Sequence, residues 1–556
     1  MSTPVQAALY GLLVLALIGF VWAAPYVPTQ DGPQHVYNLV LLDGLGRELP
    51  EVTEHYTLGS LANPNLGFQL VGFPLLNLFS PLTVERIFLT LYLGLFAVGV
   101  VALLSALGRP PFPTALLALP AALNFTLLMG FYSYVLAVPL LLFALATVWH
   151  LRAGGPLARF AAWNAWGIVL FWTHLVPFAA FGLALLIWPF AWRGLLAPNE
   201  EQLAGGEMPE PEELLKLAPS LARRVLETWL LCLPMAGLLG WFLMRGGGGD
   251  VAFWRLPHQL MGDLMFFSTV AISSLQTVPG VLLLGLVLWG LWNRARGGEP
   301  RLDDVNARNA HLLGDTPTRW LAILAVGLVL VYFASPRRFG GGGIFNERFP
   351  WMILLLLLPL LRLPAAGLLR QGFGVAAALM AAVSVSLSLW LLWPMAGDVE
   401  AFVAGRSSVP AGATVVTSRF DPATVCRTPG SSPWPRFDPL LNAGAHYGLE
   451  GAVNLGNYSA LLPHFPIRFR ADASTIPHPL DAYCRAGSMD WGTWPVVDYM
   501  LAWGVDADDA AVLRRSFDPV ELRGGSQNAT AQIAGGAARL SLWKRRTGHP
   551  RPEVRR

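Results

Sequence analysis

Charge is scarce in this chain. Only 13% of its 556 residues are Asp, Glu, Lys or Arg, about half the share typical of soluble globular proteins. A water-soluble fold of this size is therefore excluded as an expectation. Lysine is nearly missing, with Lys216 and Lys544 the two examples; the arginine bias reads as the composition of a GC-rich bacterial genome rather than as mechanism. The net charge of +3 is small, and no basic run is interleaved with stacking aromatics, so no nucleic-acid partner is expected. Cysteine is also sparse. Three residues, Cys232, Cys426 and Cys484, are too few for a disulfide scaffold. Cys232 falls in an apolar run and reads as a small core residue. Cys426 and Cys484 both fall in a polar C-terminal region and could pair if that region lies outside the cytoplasm. Several chemistries are missing as motifs: HExxH, a Cys/His cluster with zinc spacing, a GxSxG elbow, a GxGxxG after a strand and a Walker phosphate loop. No repeat of fixed period is visible, nor an inverted pair of broken helices of the kind many secondary transporters use.

What is present is apolar. Hydrophobic residues make up 54% of the chain, with mean hydropathy +0.50, arranged in long runs. The opening "AALYGLLVLALIGFVWAAPYV" lacks a charged leader and is about as long as a spanning helix requires, roughly 17 to 25 residues. It reads as a retained first helix rather than a signal peptide. The runs predict a polytopic α-helical membrane protein of about eleven spans, starting near residues 6, 86, 113, 131, 160, 176, 225, 270, 320, 350 and 372 and ending near Met395. The stretch "LGFQLVGFPLLNLF" at 66–79 is shorter and reads as a partly inserted piece. With the N-terminus in the cytoplasm, Arg109, Arg152, Arg159, Arg223, Arg224, Arg294 and others fall inside, and fewer basic residues, among them Arg47, Arg86, Arg255 and Arg348, fall outside. This is the direction the positive-inside rule requires. The expected division is a membrane core over 1–396 with an outer loop at 25–85, then a small extracytoplasmic α/β domain over 397–556. Within that domain "GATVVTSRFDP", "PVVDYMLAWGV" and "AARLSLWKRR" read as strands and "DADDAAVLRRSF" as a short helix. The expected location is the bacterial inner membrane, multi-pass.

Unusual polar residues gather in four stretches. "PTQDGPQH" follows the first span. Asp31 and His35, four apart, fall on one face of a helix begun by Gly32-Pro33. The bland reading of Asp31 is a helix cap, since Asp31 with Gln34 fits a capping box; the two roles are compatible. "ASPRRFGGGGIFNERFPW" (334–351) sets Arg337, Arg338, Glu347 and Arg348 around four glycines. Guanidinium forks suit phosphate, whereas an ordinary interfacial loop would turn its arginines to lipid headgroups. Glu347 beside Arg348 at the start of an apolar helix is harder to dismiss, because charge at that depth is costly and is usually paired or functional. "RGGGGDVAFWRLPHQLMGD" (245–263) carries Asp250, Arg255, His258 and Asp263; the structural reading, a loop lining a cleft, is favoured. Inside apolar runs lie Asn124, Tyr132 and Tyr134, and His174 in "FWTHLVPF". A lone intramembrane histidine is more often hydrogen-bonded structure than a ligand.

Taken together, the acidic first outer loop "PTQDGPQH", the many-span core, a late outer loop bearing arginines and a C-terminal domain outside resemble the GT-C class of integral-membrane glycosyltransferases. That class includes the protein O-mannosyltransferases, the aminoarabinose transferase of lipid A and the oligosaccharyltransferases. The resemblance implies transfer of a sugar from a polyprenyl-phosphate carrier to a lipid, glycan or protein acceptor on the outer face, with membrane lipids as surroundings. Asp31 matches the acidic first-loop residue of that class, which serves as catalytic base or helps hold a divalent metal (Mg or Mn), and His35 would orient it or join the metal site. Arg337, Arg338 and Arg348 would meet the lipid phosphate, with Glu347, His174, His258 and Tyr132 as further substrate contacts. The chain departs from better-known members in that Gly32, not a second acidic residue, follows Asp31, and "MDWGTW" (489–494) only partly matches the tryptophan-rich motif of oligosaccharyltransferases. The competing expectations are a transporter or lipid flippase, which requires charges buried mid-span, and a non-catalytic membrane assembly protein working through its C-terminal domain.

Overall fold

In a computed structural model, residues 2–61, 63–191, 211–245, 254–265, 273–295, 316–337, 343–364, 367–420, 436–462, 465–470, 478–494, 496–520 and 540–546 are described. The chain is a helical membrane protein with a small mixed sheet. Among the described residues six helices are long and apolar enough to cross a membrane: Thr3–Ala23, Pro81–Ala106, Tyr132–Ala153, Ser274–Arg294, Pro317–Ala334 and Gly367–Ser408. A seventh is reached if Leu221–Leu231 and Leu233–Met244, bent by 56°, count as one. Shorter apolar helices cover Thr114–Leu128 and Leu175–Ala191. The stretch 66–79 holds a nine-residue helix, Gly67–Leu75, with Pro74 inside it.

Polar bonds tie the helices together, as an apolar surrounding favours. Tyr10 donates to the Ala97 carbonyl at 3.0 Å and Trp22 to Thr90 at 2.9 Å, fixing α1 (Thr3–Ala23) against Pro81–Ala106. Arg86 caps the end of α1, donating to the carbonyls of Ala24 and Pro25 at 3.1 and 3.0 Å; a cation there also answers the helix dipole. At the opposite end of the bundle, Arg109 donates to Thr318 at 2.8 Å.

The polar segments predicted as strands and helix take those forms: β2 (Thr414–Arg419), β5 (Tyr499–Trp503) and β7 (Leu540–Arg545), with a helix over Ala507–Leu513. With β3 (Val453–Asn454) and β6 (Phe517–Val520) they form one sheet in the order β3-β2-β5-β7-β6, in which β2 runs parallel to both β3 and β5 and the remaining pairs are antiparallel. A second, two-stranded sheet joins the two halves of the sequence: β1 (Tyr56–Leu58), from the loop after α1, pairs antiparallel with β4 (Ile467–Phe469). The helix that follows α1, α2 (Gly32–Gly46), buries Tyr37 and Leu41 in one core with Val416, Ala445 and Met500. The 25–85 segment and the C-terminal region therefore share a core, distinct from that of the long helices. Cys484 is disulfide-bonded and Cys232 is free; Cys426, Asp250 and Arg338 lie outside the described residues.

Candidate functional site

The loop between α1 and α2 is held by backbone alone before any side chain acts. Gln30 and Asp31 donate their N–H groups to the carbonyls of Leu128 and Met129 at 2.8 and 3.1 Å. This needs the segment 124–131 to pass very close. Asn124 caps its short helix by accepting from Leu127 at 3.0 Å, and Gly130 then adopts φ +81°, where a Cβ would stand 2.4 Å from the Gly32 nitrogen. Only glycine tolerates both that conformation and that contact. Gly32 is equally confined, its would-be Cβ 2.2 Å from the Tyr132 hydroxyl. The sequence pairs DG and MG back to back.

Asp31 occupies the N-cap position of α2, but its side chain makes no capping bond. The capping-box reading is corrected here: the carboxylate turns away toward the C-terminal region. Its Oδ1 accepts from Asn442 Nδ2 at 2.9 Å and, weakly, from Gln30 Nε2 at 3.4 Å, while Oδ2 accepts from the Tyr458 hydroxyl at 2.9 Å. Only 5% of Asp31 is exposed, and burial, partly opposed by these donors, pushes its pKa up to about 7. Burial together with the Asp31 charge holds Tyr458 far above the usual tyrosine range, so its hydroxyl stays a donor.

His35, one turn on, is buried among rings. It stacks on Tyr132 with centroids 5.6 Å apart and meets Phe68 and Phe465, each at 5.9 Å. Burial lowers its pKa to about 4, leaving it neutral, and its Nδ1 has no partner. Tyr132 hydrogen-bonds Thr29 at 2.9 Å and donates to Glu85 at 2.5 Å. Glu85 was not singled out in the sequence; the available signal was an acid in the first turns of an apolar helix.

The arginine loop meets the same region from the other side. The Arg348 guanidinium lies over the Phe131 ring, 4.8 Å from its centroid, with Tyr134 at 5.8 Å, a cation–π seat. Tyr134 donates to the Arg348 carbonyl, and His174 Nε2 lies 3.4 Å from the Arg348 side chain while His174 Nδ1 caps the following helix. The Asp31 charge raises the Tyr458 pKa and the Arg348 charge opposes it. Glu347, 2% exposed, pairs with Arg337 at 3.3 Å and Arg255 at 3.4 Å; Arg255 also pairs with Asp263, which has Arg436 at 4.0 Å. Arg436 in turn lies over Phe125, 4.5 Å from the ring centroid. Among the described residues, Arg255, Arg337 and Arg436 are thus gathered around two carboxylates, Glu347 and Asp263. Burial lowers the pKa of Arg348 and of Arg436, a desolvation cost that a bound anion would offset.

Of the residues singled out from sequence, His35 stacks on Tyr132 one turn after Asp31, Arg348 meets His174, and Glu347 pairs with Arg337. His258 is exposed. Sequence reading missed Gln30, Glu85, Arg436, Asn442 and Tyr458. Both Asp31 carboxylate oxygens accept from N–H or O–H donors, and among the described residues no group of three or more His, Cys, Asp or Glu side chains converges. The chain matches no known protein family, no characterised protein and no solved structure.

Proposed function

We propose that this protein is a membrane glycosyltransferase that moves a sugar from a polyprenyl-phosphate carrier to a hydroxyl-bearing acceptor at the outer face of a bacterial inner membrane. The observation that carries the reading is a buried carboxylate, Asp31, with a pKa of about 7 and the Tyr458 hydroxyl 2.9 Å from it, while Arg348 is seated over Phe131, two residues from the Met129 carbonyl that accepts from the Asp31 N–H. In this reading the chain crosses the membrane about eleven times with its N-terminus in the cytoplasm, so that α2, the arginine loop and the C-terminal domain are extracytoplasmic.

The reaction assigns one task to each side. The acceptor O–H gives its proton to Asp31 as its oxygen bonds to the sugar's anomeric carbon. The bond from that carbon to the carrier phosphate breaks, and polyprenyl phosphate leaves with the electron pair. A carboxylate whose pKa lies near neutrality is a suitable general base. Arg348 and Arg436, with Arg255 and Arg337 behind them, stabilise the departing phosphate, as fixed cations in a poorly hydrated site do. No step is routed through a metal. Because both Asp31 oxygens are engaged in this closed arrangement, substrate must displace Asn442 or Tyr458, which requires movement of the C-terminal region against α2.

The full engagement of Asp31 also favours a second reading, in which the interlock only stiffens a membrane assembly protein. The separating experiment incubates purified protein with polyprenyl-phosphate sugars and follows release of the lipid phosphate. Turnover abolished by Asp31→Asn in folded protein supports the transferase; turnover unchanged in the variant removes Asp31 from the reaction, and none in the native protein favours the assembly role.

A further inference from the structure

The segment 66–79 reads from sequence as a partly inserted piece, and the structure shows which way it faces. No Asp, Glu, Lys or Arg stands between Glu54 and Glu85. Within that stretch the Gly67–Leu75 helix is about 14 Å long, about half the thickness of a bilayer's hydrocarbon core.

The helix is inside out by the standards of a water-soluble fold. Its polar side chain, Gln69, is turned inward and only 5% exposed, and Phe68 and Gly72 are buried with it. Phe68 and Gln69 stand four and three residues before Gly72, so the three mark one face. Leu70 and Phe73, three apart on the opposite face, are exposed, Leu70 at 55%. The exposure continues past the helix end through Leu78, at 74%, and Phe79. A buried amide beneath an exposed apolar face is the arrangement that water disfavours. Neither amide atom of Gln69 has a hydrogen-bond partner, so no polar contact accounts for its burial.

The neighbouring elements say what covers the exposed face. Ser80 caps the Pro81–Ala106 helix by accepting from the Thr83 N–H at 3.4 Å. Leu78 and Phe79 therefore lead directly into a helix suited to cross a membrane, which itself exposes Leu91 and Val98. At the other end the Leu66 N–H bonds the Trp172 carbonyl at 3.0 Å, and a Cβ on Gly67 would stand 2.7 Å from Thr173 Cγ2. These contacts pin the segment to the end of the Pro156–Thr173 helix, which exposes Ile168 and Val169. An uncharged apolar face set between such helices is suited to hydrocarbon.

We infer that the Gly67–Leu75 helix lies within the bilayer leaflet adjoining α2, with Leu70, Phe73, Leu78 and Phe79 in contact with lipid acyl chains. Its inner face has a second consequence. Phe68 meets the His35 ring at 5.9 Å and the Tyr132 ring at 5.2 Å between centroids. Gly72 packs on Leu39 of α2, where a Cβ would stand 2.6 Å from Leu39 Cδ1. The helix is thus a wall between His35 and the hydrocarbon, one helix thick. This placement does not depend on the proposed reaction.

The test measures depth. Full-length protein in lipid nanodiscs of phosphatidylethanolamine and phosphatidylglycerol carries a nitroxide at Leu70→Cys, Phe73→Cys or Leu78→Cys. Each is made in a Cys232→Ala background and labelled without reductant, so that the Cys484 disulfide stays closed. Power-saturation EPR reads collision with oxygen and with a water-soluble nickel chelate. Reference sites are Leu91→Cys in the Pro81–Ala106 helix and Asp508→Cys on the exposed side of the Ala507–Leu513 helix. The oxygen-to-nickel collision ratio at the three positions is expected to match that at Leu91 and to exceed that at Asp508 tenfold or more. A ratio like that at Asp508 would put the helix in water and overturn the inference. Low collision with both reagents would mean that protein covers the face, and would overturn it equally. A variant that loses monodisperse elution is set aside, and the remaining positions decide.

Discussion

Asp31 and Asn442 stand 411 positions apart in sequence and 2.9 Å apart in space, joined by a hydrogen bond from the amide to the carboxylate. The bond sets a residue of the first loop against the C-terminal region and helps make the surroundings that shift the acid. Its consequences are measurable.

Asp31 is expected to act in its ionised form. Release of lipid phosphate, expressed as kcat/KM, should rise with pH and level off above about 7, the pKa of the buried acid. Asp31→Asn should lower the rate by about 10² to 10⁴, the usual range for a general base. A flat profile in the native protein would assign the proton transfer to another group.

The same shift has a signature in stability. The Asp31 pKa is raised from 3.8 to about 7 on folding, so the folded state binds the extra proton and this contribution is lost as pH rises between those values. His35 acts in the opposite sense: its pKa falls from 6.5 to about 4, and its contribution is lost as pH falls. The two partly cancel in the native protein. The stability difference, native minus Asp31→Asn, should therefore fall steadily from pH 4 to 7, by at most about 4 kcal/mol. Thermal unfolding in detergent across that range reads it, and a pH-independent difference would contradict the shift.

Arg348→Gln should raise KM for the lipid-linked donor tenfold or more, since a charge-assisted hydrogen bond contributes about 1.5 to 3 kcal/mol. Donor binding by the native protein should weaken with added salt less than a surface contact does, because the guanidinium sits in a partly buried seat. Donor titrations at two ionic strengths check both.

Gly130→Ala should abolish activity, because the new Cβ would meet the Gly32 nitrogen at 2.4 Å at a backbone φ of +81°. Gly11→Ala in α1, where a Cβ meets nothing within 4 Å, should be silent. Equal activity of the two variants would mean that the close approach does not position Asp31.

Tyr56 is 1% exposed, stacks on Phe469 with centroids 4.9 Å apart and donates to the Asn454 carbonyl. Tyr56→Ala should cost about 3 to 5 kcal/mol, as large aromatic truncations do, and should loosen β1 from β4. Limited proteolysis within β4 (Ile467–Phe469) reads the loosening; unchanged cleavage would show that the strand pairing does not hold the C-terminal region down.

Much of the fold was legible because its signals are local. An apolar run of twenty residues satisfies its own backbone as a helix, and the alternation in "VVDYMLAWG" suits a strand whatever surrounds it. An outer-face pairing of Asp31 with the arginine loop was an expectation of the predicted topology and of the resemblance. Tyr458 and Asn442 were not expected, since a tyrosine and an asparagine in "NAGAHYGLEGAVNLGNYS" carry no local mark of function. Arg436 lies in "PWPRFDP", whose aromatic and proline content suits packing on the membrane surface or covering a cleft. The capping-box spacing misled because it specifies which atoms are within reach and not which bond is stronger, and Asp31 takes the donors of the C-terminal region instead.

By itself the sequence determined the long apolar helices, the strands β2, β5 and β7, and a chain suited to a membrane. These follow from hydropathy and period, properties of neighbours along the chain. Tertiary structure alone decided that β1 pairs with β4, that Tyr458 bonds Asp31, and that the Asn38 amide of α2 pairs with Asn457. Those outcomes depend on desolvation and hydrogen bonding between residues some four hundred positions apart, and neither leaves a trace in local composition.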